Sequence, residues 1–136
     1  MFPDMFKSVD LLAKGLDAAQ LRQDTIANNI ANADTPGFQA SHVEFESYMQ
    51  DALGGDGGLQ MKTSRDSHFR SGSYDASTVH PFVTQDDAAQ TMRMDGNDVD
   101  VEQQMTDLAK NTIWYNTLVT HMNGELERLK IAIDGR

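Results

Sequence analysis

A helix that is made to stop abruptly constrains this chain more than any other feature. Within Gln20–Phe38 the sequence runs through Ile26-Ala27-Asn28-Asn29-Ile30-Ala31-Asn32-Ala33 and then meets Asp34-Thr35-Pro36-Gly37-Phe38. Pro36 has no N–H and pushes Thr35 out of helical geometry, and Gly37 can take the positive φ that a type II turn over Thr35–Phe38 needs. Upstream, Met5, Val9, Leu12, Leu16, Ala19, Ile26 and Ile30 recur in fours and threes, broken only at Gln23. That spacing predicts one helix over residues 4–33, about 45 Å long, with a single apolar seam. Gly15 costs such a helix about 1 kcal/mol against Ala, or else marks the close approach of another helix. Phe6, Leu11 and Leu21 fall off the seam, either as scattered surface residues or as a second contact face for neighbouring chains. Asn28, Asn29 and Asn32 lie on different helix faces. Amides with no acid, base or nucleophile beside them point to hydrogen bonding, at the helix end and with the backbone that leaves it. A buried amide left unpaired costs about 1–3 kcal/mol, so such contacts select register.

A second helix is predicted at the other end. Asp100 can cap it, with Gln103 three residues on as in a capping box, and Asp134-Gly135 signals its end. Its seam is Val101, Met105, Leu108, Thr112, Tyr115, Val119, Met122, Leu126, Leu129 and Ile133, with Thr112 the polar interruption; Ile113, Trp114 and Ile131 lie off it. Two helices of matched length, each with one seam, imply pairing along their full extent. The long connection permits either orientation, and antiparallel is the default for a hairpin.

Between the helices the character changes, giving three segments: 1–38, 39–97 and 98–136. Val43-Glu44-Phe45-Glu46-Ser47-Tyr48-Met49 reads as a short strand or an amphipathic turn, and Gly54-Gly55-Asp56-Gly57-Gly58 as a flexible linker. A β-hairpin around Phe69 and Val83 is compatible with the pattern, but its apolar area alone does not offset the entropy of ordering it. The middle is therefore expected to be mostly extended or disordered in the free monomer. The fold class is mainly α, with a helical coiled-coil pair and a loop-rich middle.

Composition removes several functions. A net charge of −10 with scattered Lys and Arg argues against a nucleic-acid partner. There is no cysteine, hence no disulfide or thiolate metal site. No run approaches the ~20 apolar residues of a membrane span, and Asp4 and Asp10 within an amphipathic start do not read as a cleavable signal peptide. His42, His68, His80 and His121 are dispersed, and no hydrolase, zincin, P-loop or dinucleotide motif occurs. Asp95, Asp98, Asp100 and Glu102 lack the alternating frame of a calcium loop and suit a helix N-terminus. No catalytic, cofactor or metal residue is assigned. The mixed charges of Asp10, Lys14, Asp17, Arg22 and Asp24 also speak against a membrane-surface helix.

The Asn-Asn-Ile-Ala-Asn-Ala run followed by Asp-Thr-Pro-Gly and an aromatic residue resembles the N-terminal motif of the bacterial flagellar axial (rod and hook) family. Met94–Glu102, with Ala109-Lys110-Asn111 and Tyr115-Asn116, is most similar to its proximal rod members. The two matches cover about the first and last thirds of the chain. The resemblance implies a structural subunit whose paired terminal helices line a central channel and carry torque. It implies export through a type III apparatus without a cleaved leader. The implied partners are a small adaptor on the MS-ring and export-gate side, the next rod protein above, and further copies in a helical tube. Phe45 and Met49 fit the family's export-gate spacing, a short pattern that also arises by chance. Leu11, Leu21, Ile113, Trp114 and Ile131 are the candidate subunit contacts, since one seam leaves them uncovered. The alternatives are a generic homo-oligomeric coiled-coil adaptor and another rod subunit of the same family.

Overall fold

The computed structural model describes residues 6–54, 79–85 and 96–135. In chain order the elements are α1 (Lys7–Ala31), β1 (Ser41–Glu44), α2 (Glu46–Gly54), β2 (Phe82–Gln85) and α3 (Val101–Asp134). The expected helix start at residue 4 and the seam residue Met5 lie outside the described residues, as do Phe69, His68 and Asp95.

α1 ends where Pro36 requires. The Asn32 N–H reaches back to the Asn28 and Asn29 carbonyls at 3.1 and 3.2 Å, and Thr35 N–H donates to the Asn32 carbonyl at 3.0 Å. Phe38 N–H then closes the Thr35–Phe38 turn at 3.3 Å, with Gly37 at φ 71° as its third residue. A side chain at that φ is strained, which is why glycine occupies it. At α3 the Asp100 carboxylate accepts from the Glu102 and Gln103 N–H groups at 2.9 and 3.3 Å. The reciprocal half of the capping box does not form, because the Gln103 side chain turns forward to Asp107 at 3.0 Å. Gly135, at φ 66°, ends the helix by donating to the Ile131 carbonyl.

The two long helices pack antiparallel. Asn29 meets Gln104 at one end, and a Cβ on Gly15 would lie 3.3 Å from a Leu118 methyl further along. Gly15 thus serves the close approach of α3. Gly15→Ala should be nearly neutral in a thermal melt: about 1 kcal/mol of helix propensity is gained, and the Leu118 terminus shifts by a few tenths of an ångström. A loss above about 2 kcal/mol would mean that Leu118 cannot yield.

Part of the middle segment folds onto α1 rather than staying extended. β1 and β2 pair antiparallel, Ser41 with Gln85 and Val43 with Val83; the expected pairing around Phe69 lies outside the described residues. Phe45 and Met49, one helical turn apart, both bury against Ala18 with Val79, and Leu11 packs beside them. That shared face supplies the apolar area that alternation alone did not reveal. Ala33, Ala40 and Val99, with Phe38, form a second cluster at the α1–α3 junction.

Candidate assembly interface

Three buried asparagines hold the helix pair together. Asn29, 1 % exposed, donates to the Ser41 carbonyl at 2.8 Å and to Gln104 Oε1 at 3.1 Å, while its Oδ1 accepts from Ser41 N–H. It therefore pairs with the leaving chain as a strand neighbour would. Asn97 is fully buried, and its Nδ2 lies 3.0, 3.0 and 2.8 Å from the carbonyls of Asn32, Ala33 and Thr35. Those carbonyls belong to the turn that follows α1, where Asn32 and Thr35 also accept from the Thr35 and Phe38 N–H groups. Its Oδ1 accepts from Val99 N–H at 2.8 Å, and Asp98 N–H donates to the Phe38 carbonyl at 3.2 Å. Gly96, at φ 78°, comes so close that a Cβ there would sit 3.6 Å from Gly37 Cα. The entry to α3 is thus bolted to the exit of α1. Further along, Asn111 donates to the Ala19 carbonyl at 2.8 Å, leaving its buried Oδ1 without a partner.

The rest of the Asn-rich motif is local and more exposed. Asn32 bonds Asn28, and Thr35 bonds Asn32 Oδ1 at 3.3 Å; Asp34, Pro36 and Gly37 face solvent. On α1, Ile26 is buried, and Val9, Leu12, Leu16 and Ile30 are half-buried. On α3 the buried residues are Asn111 and Leu118, each one position before a residue of the expected seam. Leu108, Val119, Met122 and Leu129 are half-buried, whereas Val101, Met105, Tyr115 and Leu126 are exposed in the single chain. A four-three repeat permits two seams one residue apart that share Leu108, Tyr115, Met122 and Leu129. Apolarity favours the one through Val119 and Leu126. The contact runs along the other, about 50° round the helix, because Gly15 admits Leu118 and the Ala19 carbonyl takes Asn111.

Of the candidate subunit contacts, Leu11 packs within its own chain and Leu21 is half-buried. Ile113, Trp114 and Ile131 are 69, 49 and 51 % exposed. Phe45 and Met49 are both buried.

A cleft of about 460 Å³ opens between α1, β1 and α3, lined by Arg22, Ile26, His42, Gln104, Asn111 and Trp114 among others. Its charged groups are engaged: Arg22 holds Glu46 at 2.7 Å, and Lys110 holds Asp107 at 3.0 Å. The Lys110 hydrogen bond is the main reason that the Asp107 carboxyl titrates below its ordinary value. No group of three His, Asp or Glu could hold a metal among the described residues. The sequence assigns no role to Asn97, Asn111, Gln104 or Leu118. Asn97 and Asn111 do fall inside the stretches that carry the family resemblance.

A family model described as flagella basal body rod protein matches residues 11–39, most of α1 and the turn after it. The flagellar basal body rod protein FlgB of Bacillus subtilis is 30 % identical over 128 residues, covering 94 % of each chain. FlgB of Borreliella burgdorferi is 33 % identical, over 85 % of this chain and 87 % of its own length. FlgB of Aeromonas hydrophila is 34 % identical, over 88 and 87 %.

Proposed function

Because the chain belongs to the FlgB family of flagellar basal body rod proteins, a structural and non-enzymatic family, we propose that it is the most proximal rod subunit. In this reading it joins the lower end of the drive shaft to a small adaptor on the MS-ring and export-gate side, and to the next rod protein above. Copies stack head to tail into a helical tube that spans the periplasmic space. The paired α1 and α3 line the channel and transmit torque, and the chain arrives through the type III export apparatus. The observation that carries this is the match to rod proteins over 94 % of the chain, which extends well beyond the turn itself.

The lone helix pair supports assembly for a physical reason. Ile113, Trp114 and Ile131 stay exposed on α3, and large apolar groups left in water gain by being covered by a neighbour. Deleting the gene in its own host should leave basal bodies without a complete rod and cells without motility. Normal motility would overturn the reading. Re-expressed Trp114→Ala should lower incorporation into basal bodies while shifting the free protein's unfolding by less than about 1 kcal/mol, since the ring is half exposed. A coiled-coil adaptor predicts instead a discrete, concentration-stable oligomer by sedimentation, where the rod reading predicts a monomer until a template is met.

A further inference from the structure

We infer that the cleft beside β1 receives a lone extended strand from a different protein, paired with the edge of β1 that faces away from β2. This rests on the rod reading and names the chemistry of one partner.

The backbone of β1 fixes which groups are open. Asn29 takes both the N–H and the carbonyl of Ser41, at 3.1 and 2.8 Å. In a strand the two groups of one residue point to the same side, and successive residues alternate. Ser41 and Val43 therefore turn their backbone groups away from β2, and the ladder bonds belong to the His42–Thr84 and Glu44–Phe82 pairs. Val43 lies two residues on, about 6.6 Å along the strand, where the asparagine that mimics a neighbouring strand no longer reaches. Three residues back from Asn29 on α1 is Ile26, which has no polar side-chain atom. Arg22, a turn further, is drawn to Glu46 at 2.7 Å, and the Thr25 hydroxyl bonds the Leu21 carbonyl of its own helix. Among the described residues, the Val43 N–H and carbonyl have no hydrogen-bond partner.

Those groups border the cleft of about 460 Å³, with Ser41 and Val43 on one wall, Asn111 and Trp114 on the other, and Ile26 between. An N–H and a carbonyl side by side on a sheet edge are the complement of another extended backbone. A sheet of two four-residue strands is marginal by itself and gains from a third. The incoming residue opposite Val43 shares a face with that buried side chain, so it must be apolar. Charge is not required of it, because Arg22 with Glu46 and Lys110 with Asp107 are already paired. The strand must also come alone. Asn29 touches both Ser41 and Gln104, so β1 and α3 stand one side chain apart at that end of the cleft. A single strand suits such a gap, at about 4.8 Å from β1, and a hairpin does not. β2 of a second copy arrives with its own β1 beside it, and two copies at −10 each repel.

The test uses the full-length protein, whose single tryptophan lines the cleft, and a capped pentapeptide of threonine with one central valine. In dilute protein alone, amide exchange followed by NMR should be at least about tenfold faster at Val43 than at His42 and Glu44. The peptide should shift Trp114 emission and slow Val43 to the rate of its neighbours. The same peptide N-methylated at its valine should bind at least about tenfold more weakly, having lost the donor. Val43→Pro, which removes an N–H that the ladder does not use, should weaken binding as much, and Val43→Thr should stay within about threefold. Should Val43→Pro lose helix content, the two peptides on the wild-type protein still decide. A Val43 amide as slow as its neighbours in dilute protein would assign the edge to this chain itself and overturn the inference. Protection that grows with protein concentration alone would assign it to a second copy, with the same consequence. Equal binding of the two peptides, or none at millimolar concentration, would also overturn it. If these fail while gene deletion still removes the rod, only the strand falls; if deletion leaves rods intact, the rod reading falls whatever the peptides do.

Discussion

Asn97→Asp should destabilise the folded chain by about 3–5 kcal/mol at neutral pH, measured by urea unfolding followed by circular dichroism. The substitution keeps the shape and inverts the chemistry. Nδ2 now donates toward three carbonyls within 3.0 Å; a carboxylate oxygen in its place would face three acceptors with no proton to give. Against a total stability that is typically about 5–15 kcal/mol, that loss threatens the fold. The pH dependence has a definite sign. Burial and the facing carbonyls raise the new carboxyl above its unfolded value, so the folded state binds the proton more tightly. The deficit is therefore full above the folded-state pKa and shrinks as the pH falls toward about 4, where the acid can donate again. Asn97→Ala should cost about 2 kcal/mol with little pH dependence. Equal, pH-independent losses in the two variants would show that the amide is not the bolt.

Leu118→Asp is expected to do comparable damage, about 3–5 kcal/mol, by burying a charge against Gly15. Leu126→Asp, two turns further along the same helix, provides the contrast. Leu126 is 48 % exposed, so the free protein should lose less than about 1 kcal/mol, yet incorporation into the basal body should fail. The first variant should be depleted as a protein and the second should accumulate without assembling. If Leu126→Asp assembled normally, the outer row of α3 would not be a subunit contact.

These variants also show what could be read from the residues and what could not. The α1 stop followed from Thr35-Pro36-Gly37-Phe38 because each residue restricts its own backbone, and the structure places Gly37 at the required positive φ. Asp100 and Gly135 end α3 for the same local reason. Gly15 was open to two readings, and only the position of Leu118 decides between them. The rotation of α3 was not legible: two seams one residue apart share half their members, and the choice depends on where α1 presents a glycine and the Ala19 carbonyl that Asn111 reaches. The same holds for Asn97 and Asn111, whose partners lie 62–65 and 92 residues away in sequence. The stretch holding Phe45 and Met49 read equally as a short strand or an amphipathic turn; that the two cover Ala18 and Leu11 depends on the path of the chain after Pro36.

A map of the basal body assembled from this chain, resolved to side chains, tests the central claim most directly. The account predicts α1 and α3 of one subunit packed antiparallel, with Asn29 beside Gln104, Leu118 over Gly15 and Asn97 seated on the carbonyls of Asn32, Ala33 and Thr35. It is contradicted if α3 of each subunit pairs instead with α1 of a neighbour, or if the helices run parallel with those asparagines in solvent.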